Sequence, residues 1–215
     1  AALNTHIAHG DAVDLDGDGF LDIDNPCSAT YDNDTNPDST GVVATIGDLR
    51  AGGVVFYVDP EQDNTHGLVC ALSDYKTSVV WGCLGVNLEN VTDVYCDLGD
   101  TLFNPCSLDH EGAEIGDGKH NTDMILSDCP GHDAATAARS YGGYWFLPSI
   151  KELNEMYENK VALEEAEGFH AFLNYYWSST ESDKANAWGQ GFDYGNKSPY
   201  FKGNGEFNVR AVRAF

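Results

Sequence analysis

The chain has 215 residues and a formal net charge of −24, with 11 Lys and Arg against 35 Asp and Glu. An apolar share of 42% and an aromatic share of 12% are enough for a packed core, which excludes a disordered or collagen-like chain. The negative charge argues against nucleic acid as a partner, because it repels phosphate backbones. No apolar run has the roughly 18 residues that a membrane span needs, and the N-terminus lacks signal-peptide features, so we expect a soluble, already processed chain.

Residues 1–40 contain nine Asp and no Glu, Lys or Arg, whereas residues 41–215 carry charges of both signs. We therefore predict an acidic leader, 1–40, and one folded domain, 41–215. Within the leader, a run of nine residues matches the start of a D-x-D-x-D-G calcium loop, in which the glycine allows a sharp turn around the ion. The predicted Ca²⁺ ligands are Asp14, Asp16, Asp18, the carbonyl of Phe20, Asp22 and Asn25.

Asn25 stands where an EF-hand loop has a bidentate Glu, so we expect a modest affinity, on the order of the 10⁻⁴ to 10⁻³ M of extracellular modules. The run resembles the thrombospondin type 3 and dockerin-like calcium repeats of secreted proteins, and this resemblance implies a structural ion. A flexible acidic linker is the alternative. A further cluster of Asp32, Asp34 and Asp38 could bind a second ion, and we favour a solvated turn there.

Six cysteines are spread along the chain without a C-x-x-C pair, which argues against a zinc ribbon or a redox site. Their even number favours disulfides, each of which would stabilise the fold by about 2 to 4 kcal/mol. Disulfides and acidity together predict a location outside a reducing cytosol, and six buried free thiols in a cytosolic protein are the alternative. The cysteines are Cys27, Cys70, Cys83, Cys96, Cys106 and Cys129.

The domain begins with two apolar runs, Gly53–Val58 and Gly67–Leu72, which predict short buried strands bounded by turn residues. Further along, a predicted strand ends at Pro148 and a helix follows. Ser149 at its N-cap and Glu152 at N3 form a capping box, which is worth about 1 kcal/mol.

A family resemblance is carried by six motifs, which occur along the chain in the following order: Ile46–Phe56, Trp81–Cys83, Trp145–Ser149, Tyr176–Glu181, Ala187–Trp188 and Val209–Arg213. From about residue 46 to 215 this order resembles the DUF1566 family, also called Lcl C-terminal-like, after the C-terminal domain of a collagen-like bacterial adhesin. The resemblance implies a bacterial surface or secreted domain with a C-type lectin-like fold, related to formylglycine-generating-enzyme-type domains and to the variable proteins of diversity-generating retroelements. We therefore predict an α+β, C-type lectin-like domain with short strands and two or three helices.

The adhesin that gives the family its name binds sulfated polysaccharides. Residues 41–215, however, carry −15 with only eleven cations, so we expect no heparin-like ligand. The sugar-binding calcium motifs of animal C-type lectins, Glu-Pro-Asn or Gln-Pro-Asp followed by Trp-Asn-Asp, are absent from the sequence. A lectin fold alone does not establish lectin function.

The segment Trp188–Asn204 is rich in aromatic residues, amides and glycines, a composition that suits a recognition surface. In the retroelement variable proteins that the family resembles, the corresponding stretch displays the diversified residues. The alternative is a twisted hairpin whose aromatic side chains pack on the sheet. The predicted ligand-binding residues are Trp188, Gln190, Asp193, Tyr194, Asn196, Lys197, Tyr200 and Lys202.

Arg210 and Arg213 lie three residues apart in a predicted strand, so they point to opposite faces and at least one faces the interior. A buried guanidinium needs a carboxylate partner, for which Glu152 and Glu181 are the candidates. Capture of an anion by the two arginines is the alternative.

The histidines form no metal-binding helix motif, and no set of nucleophile, base and orienting residue can be assembled, so we expect no enzymatic activity. The leading hypothesis is a secreted or cell-surface recognition module of the adhesin type, which binds a glycan or protein and is stiffened by Ca²⁺ and disulfides. The competing hypothesis is a structural subunit of an extracellular filament or sheath, a homo-oligomer in which the same aromatic residues pack against a neighbouring copy. An enzyme similar to formylglycine-generating enzymes ranks third and requires a pair of free, close cysteines in an exposed cleft.

Overall fold

The structure is a computed structural model that describes residues 42–88, 91–94, 111–129, 131, 134–205 and 207–215. The predicted acidic leader with its Ca²⁺ ligands lies outside these residues, as do Cys27, Cys96 and Cys106. The described part is an α+β fold with two sheets and four α-helices. None of the described helices is long and apolar enough to cross a membrane.

The strands are β1 (Leu49–Arg50), β2 (Gly53–Val58), β3 (Gly67–Ala71), β4 (Lys76–Val79), β5 (Tyr175–Glu181), β6 (Asn186–Gly191), β7 (Lys197–Phe201), β8 (Phe207–Val209) and β9 (Val212–Ala214). The helices are α1 (Asp117–Asp128), α2 (Ala134–Arg139), α3 (Ile150–Glu158) and α4 (Lys160–Glu164), with a 3₁₀ turn at Pro60–Gln62. One sheet has the order β1-β2-β3-β9 and the other the order β4-β8-β5-β6-β7.

The predicted strands at the start of the domain are confirmed as β2 and β3. The strand predicted before Pro148 is wrong, since only a single bridge joins Phe146 to Val212 there. There are four helices in the described residues where two or three were expected. The short helix α2 is mostly alanine, and α1 is mostly polar, so neither has a clear apolar stripe for a sequence pattern to detect.

The core consists of two clusters, because side chains alternate between the two faces of each strand. In β2, Val55 faces one cluster, while Val54 and Phe56 face the other. In β5, Trp177 faces the first cluster and Tyr176 the second. Helices α1 and α2 pack on the first cluster and α3 and α4 on the second, so both sheets contribute to both clusters.

Helix α3 begins at the predicted capping box, which is confirmed. Ser149 Oγ accepts a hydrogen bond from the backbone N–H of Glu152 at 3.2 Å, and Glu152 Oε2 accepts one from the backbone N–H of Ser149 at 2.8 Å. Glu152 Oε1 also accepts from the N–H of Gly116 at 2.8 Å, which satisfies the backbone at the start of α1. A Cβ at position 118 would lie 2.2 Å from Glu152 Oε2, so the close approach requires Gly118.

Arg210 lies between β8 and β9 and not in a strand with Arg213. It is buried, as expected, and pairs with a carboxylate, Asp74, whose Oδ1 lies 2.6 Å from Nε. Both predicted partners are therefore wrong: Glu152 binds helix N–H groups, and Glu181 belongs to a separate buried ion pair. Arg210 also donates to backbone carbonyls, and its guanidinium lies 4.7 Å from two phenylalanine ring centroids, so it has a structural role.

Cys83 and Cys129 form a disulfide that spans 46 residues of sequence, which confirms a disulfide in the domain. Cys70 departs from the expectation of paired cysteines, since it is free and fully buried in β3. It packs in the second core cluster like a small apolar residue. Burial raises the pKa of its thiol to about 12, which leaves it without the thiolate that a reactive cysteine requires.

Candidate functional site

The predicted ligand-binding segment reaches solvent at the turn between β6 and β7. Gly195 N–H donates to Gly191 O at 2.8 Å, and Gly191 N–H donates to Asn196 O at 3.0 Å. Gly195 has a φ of 74°, and a Cβ at this position would lie 2.4 Å from the ring of Tyr157. Both the left-handed backbone and the contact with the ring therefore require glycine here.

Phe192 fixes the same turn to the core. Its buried ring lies 4.4 Å from the Phe172 centroid and 5.7 Å from the Tyr157 centroid. Lys160 Nζ donates to the Phe192 carbonyl at 3.2 Å. Two residues further on, Tyr194 is 86% exposed. The turn thus holds an exposed aromatic ring on a backbone that is fixed on both sides.

A polar network joins the hairpin to helix α3. Lys197 Nζ donates to Asn154 Oδ1 at 2.7 Å, and Gln190 Nε2 donates to the same oxygen at 3.0 Å. Gln190 Nε2 also lies 3.3 Å from the carbonyl oxygen of Gly195. Lys197 is directly opposite Gln190 in the β6–β7 ladder, so both side chains lie on the face that α3 covers.

Two carboxylates, Glu155 and Glu158, lie close enough to the single lysine of this network to affect its pKa. Burial lowers the pKa of the Lys197 ammonium, while Glu158 and Glu155 act in the opposite direction. Burial, followed by repulsion from Glu158, raises the pKa of Glu155. The hairpin surface, as we name it, consists of Asn154, Glu155, Glu158, Asp193, Tyr194, Asn196 and Lys197. Its net charge is negative, so it disfavours anions.

The eight predicted ligand-binding residues differ in their exposure to solvent. Four of them are exposed and Tyr200 is half-buried; the exposed ones are Asp193, Tyr194, Asn196 and Lys197. The other three are fully or almost fully buried, which contradicts their prediction as surface contacts; they are Trp188, Gln190 and Lys202. For these three, the alternative of a packed hairpin describes the structure better.

Trp188 packs in the second core cluster, and its Nε1 donates to Val94 O at 2.8 Å. Tyr200 packs on the other face of the hairpin, 4.8 Å from the centroid of Phe207. Its hydroxyl accepts a hydrogen bond from Asn196 Nδ2 at 3.1 Å. Trp188 and Tyr200 are thus mainly structural, and the predicted residues that are most exposed lie in or next to the turn.

Lys202 forms a buried ion pair with Glu181, and both side chains are fully buried. Lys202 Nζ also donates to Val86 O at 3.3 Å and lies 4.6 Å from a ring centroid of Trp81. Glu181 Oε2 accepts from the N–H of Leu88 at 3.1 Å. Burial raises the pKa of Glu181 to about 7 against the opposing effect of Lys202. The pair holds residues 86–88, which follow Cys83 in the sequence, against the sheet.

Three residues of the hairpin surface are not among the sequence predictions, namely Asn154, Glu155 and Glu158. They follow the capping box on the polar side of an amphipathic helix, which is a signal for exposure. That signal does not reveal which part of the chain the helix faces. Their contact with the hairpin depends on the packing of α3 on the sheet.

The predicted Ca²⁺ loop, from Asp14 to Asn25, lies outside the described residues. Within the part of the chain that the structure describes, no group of three or more His, Cys, Asp and Glu side chains could hold a metal ion. Calcium binding by the leader stays a prediction.

Most of the fold described above lies within the match to a known protein family. The family model of the Lcl C-terminal domain matches residues 71–213, more than half of the chain. The chain belongs to this family. The Lcl C-terminal domain is associated with bacterial surface proteins, and the matched region contains helix α3 and the whole hairpin surface. No curated protein matches the chain.

Proposed function

We propose that the protein is a secreted or cell-surface recognition module, whose Lcl C-terminal domain binds a glycan or protein ligand through the hairpin surface. The observation that carries this proposal is the fixed turn, which holds Tyr194 at 86% exposure beside the polar network. An aromatic ring on a rigid backbone provides contact area with little loss of conformational entropy on binding. The amides and carboxylates around it provide hydrogen bonds that fix the orientation of the ligand.

We further propose that the domain has a C-type lectin-like fold, that the protein lies outside the cytoplasm and that the leader binds Ca²⁺. A C-type lectin-like fold is supported by the sharing of one sheet between the first strands, β1 to β3, and the last strand, β9. The disulfide Cys83–Cys129 supports a location in an oxidising compartment outside the cytoplasm. A Ca²⁺ ion bound by Asp14–Asn25 would stiffen the segment that precedes the domain.

We propose that the protein has no enzymatic activity. Cys70 is fully buried, with a thiol pKa raised to about 12. The two buried glutamates, Glu152 and Glu181, have pKa values raised by burial to about 7, as general acids often do. Both bind backbone N–H groups of neighbouring segments. A structural role accounts for these groups.

The test is binding of the full chain to glycan and protein arrays, with Ca²⁺ and with a chelator. Tyr194→Ala is expected to weaken binding at least about tenfold, which corresponds to about 1.4 kcal/mol. Tyr75→Ala is the matched control, because Tyr75 is 46% exposed and does not belong to the hairpin surface. Equal binding by wild type and Tyr194→Ala, with an unchanged melting temperature, refutes the assignment of this surface.

A subunit of an extracellular filament or sheath is the second candidate function. The segment that follows β4 contacts the segment that follows β7, where Trp81 N–H donates to Lys202 O. Exposed apolar side chains near this contact favour the second candidate. These side chains are Val80, Leu84, Val86 and Phe201. Strand addition at β7, an edge strand of its sheet, is disfavoured because Pro199 has no N–H. Light scattering that finds a monomer at tens of micromolar in Ca²⁺ rejects this function.

A further inference from the structure

The side chain of Gln190 ends in a carbonyl oxygen that has no hydrogen-bond donor among the described residues. The neighbouring groups determine this orientation. The Lys197 ammonium can only donate, so Asn154 has to turn its Oδ1 toward it. Because Gln190 lies 3.0 Å from the same oxygen, it has to present its Nε2 group. The Gly195 carbonyl requires the same orientation of Gln190.

Within the described part of the chain, Gln190 Oε1 is therefore a buried acceptor that receives no hydrogen bond from the protein. Few buried carbonyl oxygens in native proteins lack a partner, because each one loses its hydrogen bond to water on burial. Lys197 lies beside Gln190 across the ladder, and its exposed side chain forms the outer boundary of the network. Gln190 itself is fully buried, so a ligand would reach it only if the Lys197 side chain rotated away from Asn154.

We propose that Gln190 and Asn154 form a subsite for a hydroxyl group of an uncharged glycan, so that this protein selects unsulfated over sulfated polysaccharides. The inference rests on the proposed function and names the ligand class of the hairpin surface. A sugar hydroxyl can donate to Gln190 Oε1 and accept from other groups. A sulfate group offers only acceptors, so it leaves Oε1 unsatisfied.

The charges of the hairpin surface also disfavour binding of sulfated polysaccharides. Glu155, Glu158 and Asp193 repel an anion, and these three carboxylates outnumber the one cation of the hairpin surface, Lys197. Most cations elsewhere in the described residues are also paired with carboxylates, which leaves little basic surface for a polyanion. The pairs are Lys119 and Arg139 with Asp123, Lys151 with Glu114, Lys160 with Glu164, Lys202 with Glu181, and Arg210 with Asp74.

The test uses the full chain and matched probes: neutral glucans, galactans and mannans, each beside its chemically sulfated form. We expect binding of at least one neutral polysaccharide and at least about tenfold weaker binding of its sulfated form at 150 mM salt. Gln190→Met is expected to weaken binding of the neutral probe about tenfold. Gln62→Met is the matched control, because Gln62 is an exposed glutamine of the 3₁₀ turn.

A second variant keeps the test valid if Gln190→Met does not fold. Lys197→Met retains the side-chain length at an exposed position and removes the hydrogen bond to Asn154 that has to break before a ligand enters, so binding of the neutral probe is expected to rise severalfold. Sulfated probes that bind as tightly as neutral ones, with binding lost in Tyr194→Ala, overturn the inference and leave the proposed function intact. Binding of proteins but of no neutral polysaccharide also overturns the inference. Absence of binding to every glycan and protein overturns the proposed function as well.

Discussion

Replacement of Lys202 by methionine tests the role of the buried ion pair. Both side chains of the Lys202–Glu181 pair are fully buried, so the variant leaves a carboxylate in the core without its cation. Breaking a buried pair in this way costs about 3 to 5 kcal/mol. At about 2 to 4 °C per kcal/mol for a chain of this size, the melting temperature should fall by roughly 6 to 20 °C. Methionine still packs on Trp81, which limits the loss due to packing.

The pH dependence of this loss follows from the pKa of Glu181. Burial raises that pKa to about 7 even with Lys202 present, and Lys202 lowers it, so it rises further in Lys202→Met. A carboxyl group whose pKa is higher in the folded than in the unfolded chain stabilises the fold at low pH. This contribution is lost as pH rises through the folded pKa. The deficit of the variant should therefore be small near pH 5 and largest above pH 8.

The assay is urea unfolding of wild type and variant at pH 5, 7 and 9. Lys184→Met serves as the control, because Lys184 is an exposed lysine near the same end of the sheet, and its loss should stay within about 0.5 kcal/mol. The double variant Glu181→Gln/Lys202→Met should recover much of the stability, since it buries no charge. A deficit below about 1 kcal/mol at pH 9, or one that grows on acidification, refutes the interpretation.

Gly195→Ala should lower the free energy of unfolding by about 1 to 3 kcal/mol, because Gly195 has a positive φ and an added Cβ would contact Tyr157. Thermal unfolding measures this loss. Gly143→Ala is the control and should cost less than about 1 kcal/mol, because a Cβ at position 143 meets nothing within 4 Å. Replacing both cysteines of Cys83–Cys129 by alanine should cost about 4 kcal/mol, given the 46-residue separation; urea unfolding with less than about 1 kcal/mol of change contradicts this. Calorimetry should detect Ca²⁺ binding to the full chain with a dissociation constant on the order of 10⁻⁴ to 10⁻³ M, weakened at least tenfold by Asp18→Ala. Equal heats for the two proteins contradict the leader prediction.

Elements with local signals were predictable from the sequence. Strands β2 and β3 are continuous apolar runs with turn residues on both sides, and the capping box places both its members within four residues. The ion-pair partners were not predictable in this way. Asp74 is 136 residues from Arg210 in the sequence, and no local pattern selects it over other carboxylates. Such pairs depend on which strands become neighbours in the folded chain.

The hairpin surface was predictable only in part, for a related reason. The composition of residues 188–204 indicates a recognition surface, and the turn does expose Asp193 and Tyr194. The sequence does not show that α3 covers the face of β6 that carries Gln190. Burial of Gln190 and of Trp188 follows from that packing, as does the contribution of Asn154 to the surface.

In the turn between β6 and β7, the positions that hold the backbone are separate from those that meet solvent. Phe192 and Gly195 make the contacts with the core, whereas Asp193 and Tyr194 between them point outward. Mutational tolerance should differ sharply between neighbouring positions as a result. Libraries randomised at 193 and 194 should yield mostly folded proteins with altered binding, whereas the same libraries at 192 and 195 should yield mostly unfolded ones. This loop can therefore be diversified for new ligands while the rest of the domain is left unchanged.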